Sequence, residues 1–150
     1  MTACGFKLRG AYTFPFASAT LETPTSAPEF SAQLRRALAG EASLRLVEAQ
    51  SAPQVRIRVL EVFSEKRILS LSSGGKVREF QIEQRVKFDV VDVNESVLLP
   101  EQLITATREY SFSDAQALAK EGEERILRAD MQTNLIAQIL RQLQAARPKA

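Results

Sequence analysis

The chain has 150 residues, 20 basic and 18 acidic, with a net charge of +2, no histidine and one cysteine, Cys4. That length suits one domain with a sizeable core, burying roughly 68–70% of the unfolded-chain surface. Lacking histidine, the chain supplies no Ser-His-Asp triad, no Cys-His nucleophile and no ordinary zinc site, and one cysteine closes no internal disulfide. No run of about twenty apolar residues is present to span a bilayer, and a balance of +2 is no nucleic-acid signature.

In chain order, Met1-Thr2-Ala3-Cys4-Gly5 ends like a bacterial lipobox, without the apolar segment that normally precedes one. Met1–Ala3 is read as the remnant of a signal peptide or as an expression start. Phe6–Phe16 is an extended lead-in, and Ala17–Leu21 a short strand. Thr23–Pro28 is turn-rich and ends with Pro28 in a first helical turn, after Ser26 or Ala27 as cap. A helix is expected over Glu29–Ala39, with Phe30, Leu34, Ala37 and Leu38 on one face and Gly40 closing it. Leu44–Glu48 is a second short strand.

Val55–Val93 reads as one long antiparallel hairpin. In its second arm Phe80, Ile82, Gln84, Val86, Phe88 and Val90 alternate with charged or polar residues, the signature of a half-buried strand. The first arm, Val55–Leu71, changes parity near Leu60, where a bulge is expected. Ser72-Ser73-Gly74-Gly75 makes the turn, glycine supplying positive φ. A turn at Val93–Ser96 follows, then an apolar run Val97–Leu99 stopped by Pro100, then a strand over Leu103–Phe112. Ser113 and Gln116 have capping-box spacing at the start of the longest helix, Asp114–Leu143. Its stripe is Leu118, Ile126/Leu127, Met131, Leu135/Ile136, Ile139/Leu140 and Leu143, with Gly122 weakening it by about 1 kcal/mol. A frayed tail occupies 145–150, so the domain spans 4–144. The order β-α-β-β-β-β-α predicts an α+β two-layer sandwich, with two amphipathic helices on one face of a mostly antiparallel sheet of four or five strands. The opposite face is expected to be polar and to carry the hairpin's cations.

Residues 55–87 hold eight cations (Arg56, Arg58, Lys66, Arg67, Lys76, Arg78, Arg85, Lys87) against four anions (Glu61, Glu65, Glu79, Glu83). The hairpin is therefore the place to look for an anionic ligand, although a solvated face of mixed charge explains the same residues. Glu121, Glu123 and Glu124 read as a solvated helix face favoured by the nearby helix N-terminus. Ser73-Gly74-Gly75-Lys76 lacks both the spacing and the following helix of a phosphate loop. No catalytic constellation, cofactor motif or metal set emerges. The chain reads as a binding or assembly component rather than an enzyme.

Three stretches, in the right order, resemble the LptE family of lipopolysaccharide (LPS) assembly lipoproteins. They are Cys4-Gly5-Phe6-Lys7-Leu8-Arg9-Gly10, Glu79-Phe80-Gln81 after the glycine turn, and Phe112-Ser113-Asp114 followed by Ala117-Leu118-Ala119-Lys120-Glu121. The resemblance implies a non-enzymatic lipoprotein acylated at Cys4, Gly5 fitting outer-membrane sorting. Such a protein sits in the lumen of the LPS-translocating outer-membrane barrel LptD, plugs it, helps assemble it, and binds LPS. Of the family's two LPS-contacting positions, one is matched by Lys120. At the other, just before the turn glycine, this chain has Ser73 and Gly74, and Lys76 and Arg78 just beyond are expected to supply the charge. The alternative is a periplasmic adaptor lipoprotein that binds an envelope protein and no lipid.

Overall fold

The computed structural model describes residues 12–147. The strands are β1 (Ser18–Glu22), β2 (Arg45–Leu46), β3 (Val55–Leu71), β4 (Val77–Asp92) and β5 (Val97–Ser111), and the helices are α1 (Pro28–Ala39) and α2 (Ala117–Leu143). They form the expected α+β sandwich: one five-stranded sheet in the order β2-β1-β3-β4-β5, with both helices sharing a core with one face. β1 runs parallel to β2 and to β3, and the β3–β4 and β4–β5 pairs are antiparallel.

Alternation governs the sheet. Ile82, Val86, Phe88 and Val90 of β4 are 0% exposed; Val90 and Phe88 lie opposite Ile57 and Val59 of β3, and Val86 opposite Ile104 of β5, with Ala106 and Tyr110 of β5 also buried. The anticipated bulge lies between Val59 and Glu61, and shifts the inward parity from Ile57 and Val59 to Val62. α1 has Ala27 at its N-cap, Pro28 in its first turn and Gly40 at its C-cap, which keeps right-handed dihedrals. It buries Phe30, Leu34 and Leu38, each contributing about 1.5–3 kcal/mol. Phe14 and Phe16 stack at 5.7 Å between ring centres and close the core.

Several expectations need correction. Pro100 does not stop a strand: β5 runs through it from Val97 to Ser111. β5 is the sheet's edge, where proline's missing N–H costs no ladder bond, and a register shift falls beside it. The capping box at Ser113 does not form. Residues Asp114–Gln116 make a single 3₁₀ turn with no side-chain cap, and the α-helix starts at Ala117. Leu118 and Ile126, assigned to the apolar stripe, are 83% and 71% exposed, and the buried stripe runs from Met131 to Leu143. Where the sequence places a frayed tail, Ala146 is buried and the Arg147 N–H donates to the Leu98 carbonyl at 2.8 Å.

Candidate functional site

The hairpin tip is built by its own hydrogen bonds. The Ser72 N–H donates to the Lys76 carbonyl (2.7 Å), the Gly75 N–H to the Ser72 carbonyl (2.9 Å), and the Lys76 N–H to Ser72 Oγ (3.1 Å). Gly75 carries the positive φ, 79°. Because β5 ends beside the start of β4, this tip lies near the lead into α2. The Phe112 N–H donates to the Arg78 carbonyl at 2.8 Å, and Lys76 Nζ is 3.6 Å from Asp114 Oδ2. Lys120 Nζ donates to Ser111 Oγ (3.2 Å) and to Glu123 Oε2 (2.8 Å). Lys76, Arg78 and Lys120 thus come to one end of the sheet, where Arg78 alone of the three lines an open cleft of about 540 Å³, with Ser70, Leu71, Glu79, Ser111 and Phe112.

The three cations are not equivalent. Lys76 is exposed and loosely paired, and Arg78 is exposed with no ion pair among the described residues. Its guanidinium can meet a phosphate with two parallel N–H bonds. The Lys120 side chain is only 15% exposed and its ammonium is already paired with Glu123 and bonded to Ser111. It holds the helix start against the end of β5 with two of its three N–H donors, so a ligand at Lys120 meets a cation already part-neutralised by Glu123. Cys4 lies outside the described residues.

The hairpin's excess of positive charge is largely absorbed from elsewhere in the chain. Arg58 grips Asp89 across the ladder, Nε to Oδ1 at 2.7 Å and Nη2 to Oδ2 at 2.5 Å, and this bond raises the arginine's pKa further against the opposing effect of burial. Arg56 pairs with Glu22 and Glu95, Arg67 and Arg85 with Glu83, and Lys87 with Glu61. Lys66 overturns the expectation that all these cations lie on the polar face, because it sits on the helix side.

There Lys66 joins a network that the sequence reading missed. Its Nζ lies 2.8 Å from Glu124 Oε1 and 4.3 Å from the Phe80 ring centre. The Tyr110 hydroxyl donates to the same Glu124 oxygen at 2.9 Å, and Arg128 reaches Ser64 Oγ at 2.8 Å with Glu124 Oε2 at 3.6 Å. Glu124 is thus no part of a solvated face. The bond to Glu124 holds the Lys66 ammonium above its ordinary 10.5, while burial pushes the Tyr110 hydroxyl above 10.0. For Glu124 itself burial pulls upward. The hydrogen bonds from Lys66 and Tyr110, with the Lys66 and Arg128 charges, outweigh that and leave its carboxyl below 4.5. The signal in the sequence is Lys66 at an inward-facing position of β3, opposite Ile82.

A helix-backed sheet with a long projecting hairpin defines a class of fold shared with solved bacterial lipoproteins. The chain is similar to the solution NMR structure of lipoprotein B from Nitrosomonas europaea, with 37% identity and a TM-score of 0.80, covering 94% of this chain and 91% of that one. A rare lipoprotein B from Shewanella oneidensis shares the fold at 24% identity and a TM-score of 0.68, covering 84% and 92%. An LPS-assembly lipoprotein LptE of Pectobacterium atrosepticum is 28% identical over 93% of this chain and 76% of that protein. The LptE family, described as lipopolysaccharide-assembly, matches residues 11–143, and the chain belongs to it.

Proposed function

We propose that this chain is a non-enzymatic LPS-assembly lipoprotein, folded as one domain over residues 4–144 and acylated at Cys4. It is anchored on the periplasmic face of the outer membrane and lodged in the lumen of an LptD-like barrel. There it plugs the barrel, helps it assemble and binds LPS in transit. Family membership supports the class of function. The observation that carries the ligand reading is the meeting of Lys76, Arg78 and Lys120 at one end of the sheet, with Arg78 unpaired among the described residues. Phosphate groups on LPS are the complementary chemistry.

The test separates the exposed cations from the engaged one. Lys76→Glu with Arg78→Glu should weaken LPS binding without moving the thermal midpoint, each lost contact costing up to about 1.5–3 kcal/mol if desolvated and less if wet. Binding should also fall as salt rises. Wild-type affinity in the double variant at moderate salt removes the tip from consideration. If LPS binding is absent altogether while a barrel protein still copurifies, the adaptor reading stands instead. Mass spectrometry of protein exported with a native signal should find the lipid on Cys4.

A further inference from the structure

One line of residues runs along α2 at steps of three and four: Leu118, Gly122, Ile126, Ala129, Thr133 and Ile136. Its later part is covered. Gln33 of α1 donates to Thr133 Oγ1 at 3.2 Å, and Ile136 is buried. Its first part is bare. Leu118 at 83% and Ile126 at 71% are the most exposed large apolar side chains among the described residues, and Ala119 and Ala129 beside them are exposed. This half of α2 meets the sheet through Glu124, on another side of the helix. The bare line is therefore a second apolar face, without a neighbour among the described residues.

Where the line is covered, its neighbour is a helix, and the bare part has room for another. Gly122 lies between Leu118 and Ile126. A Cβ built on it meets only Arg125 Nη2, at 3.8 Å, so a second backbone can approach there once that arginine swings aside. The face is also complementary to itself. In an antiparallel pair with a two-fold axis at Gly122, residues equally far before and after Gly122 share a layer, so Leu118 of each copy packs against Ile126 of the other. Arg125 of each copy then stands on the same flank as Glu121 of the other. Both side chains are exposed, and neither has an ion pair among the described residues although they are four positions apart on one helix. On the opposite flank Glu123 meets its counterpart, but Lys120 already holds it at 2.8 Å. A parallel pair is opposed by α1, which stands on the same line at Thr133 in both copies. An anionic lipid surface is a poor occupant, since Glu121, Glu123 and Asp130 flank the line.

We propose that the outer face of α2 from Leu118 to Ala129 is a self-association site, taking a second copy of this chain in an antiparallel helix pair centred on Gly122. The contact covers about 17 Å of each helix. That is small for an interface, so half-association is expected at a concentration on the order of 100 μM. The proposal depends neither on the LPS reading nor on the acyl anchor.

The test uses the full chain carrying Cys4→Ser. Sedimentation equilibrium from about 10 μM to about 1 mM should show monomer and dimer and no larger species. Leu118→Ser with Ile126→Ser should keep the thermal midpoint at low concentration, both side chains being exposed, and stay monomeric throughout. Arg125→Glu should weaken association about tenfold, because it sets a like charge beside Glu121 twice, and adding Glu121→Arg should restore it. Oxidised with copper phenanthroline, Gly122→Cys should cross-link one copy to the other. Ala129→Cys should not, because the two-fold sets those positions about 21 Å apart along the helices. The proposal is overturned if the chain is monomeric at about 1 mM, if the serine variant still dimerises, or if the swapped-charge double variant stays weakened. It is equally overturned if Ala129→Cys cross-links as readily as Gly122→Cys. A monomeric chain whose serine variant loses a copurifying barrel protein assigns the face to that partner and overturns it too.

Discussion

Glu124→Gln isolates the charge network that fastens the first half of α2. The substitution keeps the side chain's size and removes its charge, so Lys66, 2.8 Å away, loses its counter-ion, and the Tyr110 hydroxyl loses a charged acceptor. A hydrogen bond to a charged group contributes about 1.5–3 kcal/mol when desolvated. The Lys66 side chain is 37% exposed and recovers water in the variant, so the expected loss is about 1 kcal/mol at neutral pH. The damage should be local. Met131, Leu135, Ile139 and Leu143 anchor the second half of the helix, whereas the first half has Leu127 partly buried and Leu118 and Ile126 exposed. Hydrogen exchange should therefore accelerate across 117–127 and stay near the global rate across 131–143. Urea unfolding read against pH adds a second signature. The Glu124 pKa is depressed, so its contribution is present above 4.5 and is lost as pH falls through the lower folded value. The Lys66 pKa is raised, so its contribution is present below 10.5 and is lost as pH rises through the higher folded value. The gap between wild type and variant should be flat through neutrality and close at both ends. Equal stability at pH 7, or a gap that persists in acid, refutes the assigned role of the network.

Leu34→Ala empties a fully buried position between α1 and the sheet and should lower unfolding free energy by about 3–4 kcal/mol, measured by chemical denaturation. Gly122→Ala should raise stability by up to about 1 kcal/mol, because a Cβ there meets only Arg125 Nη2 at 3.8 Å while the helix gains propensity; a loss on thermal melting counts against the straight helix at that point. Gly75→Ala should cost about 1–2 kcal/mol although nothing lies within 4 Å of the added Cβ, because φ is +79°; an unchanged urea midpoint means the turn is not held in that conformation.

Local pattern fixes most of the secondary structure. Strict alternation over Phe80–Val90 places β4, the parity change near Leu60 marks a bulge that is present, and Pro28 with the Phe30/Leu34/Leu38 spacing sets α1. These features depend on the period of the backbone and on residues next to one another in the chain. The readings that fail are those whose outcome depends on a neighbour far away in sequence. Pro100 looks like a stop until β5 is seen to be an edge, where a missing N–H faces no partner. Leu118 and Ile126 fit a helical stripe, yet both are exposed, and this half of α2 meets the sheet through Glu124, which pairs with Lys66 and Tyr110.

The cations follow the same division. Counting along 55–87 finds a positive excess, but the carboxylates that neutralise most of it are Glu22, Asp89, Glu95, Asp114 and Glu124, all outside that window. The sequence named Lys76 and Arg78 from the hairpin's charge and Lys120 from the family motif, and could not show which of them is already paired. The tertiary structure separates the exposed Arg78 from the engaged Lys120, and only it shows that, among the described residues, β1 flanks β3 no further than Arg58. Alternation is a property of one strand, whereas pairing, exposure and an empty edge depend on which segments the fold brings together.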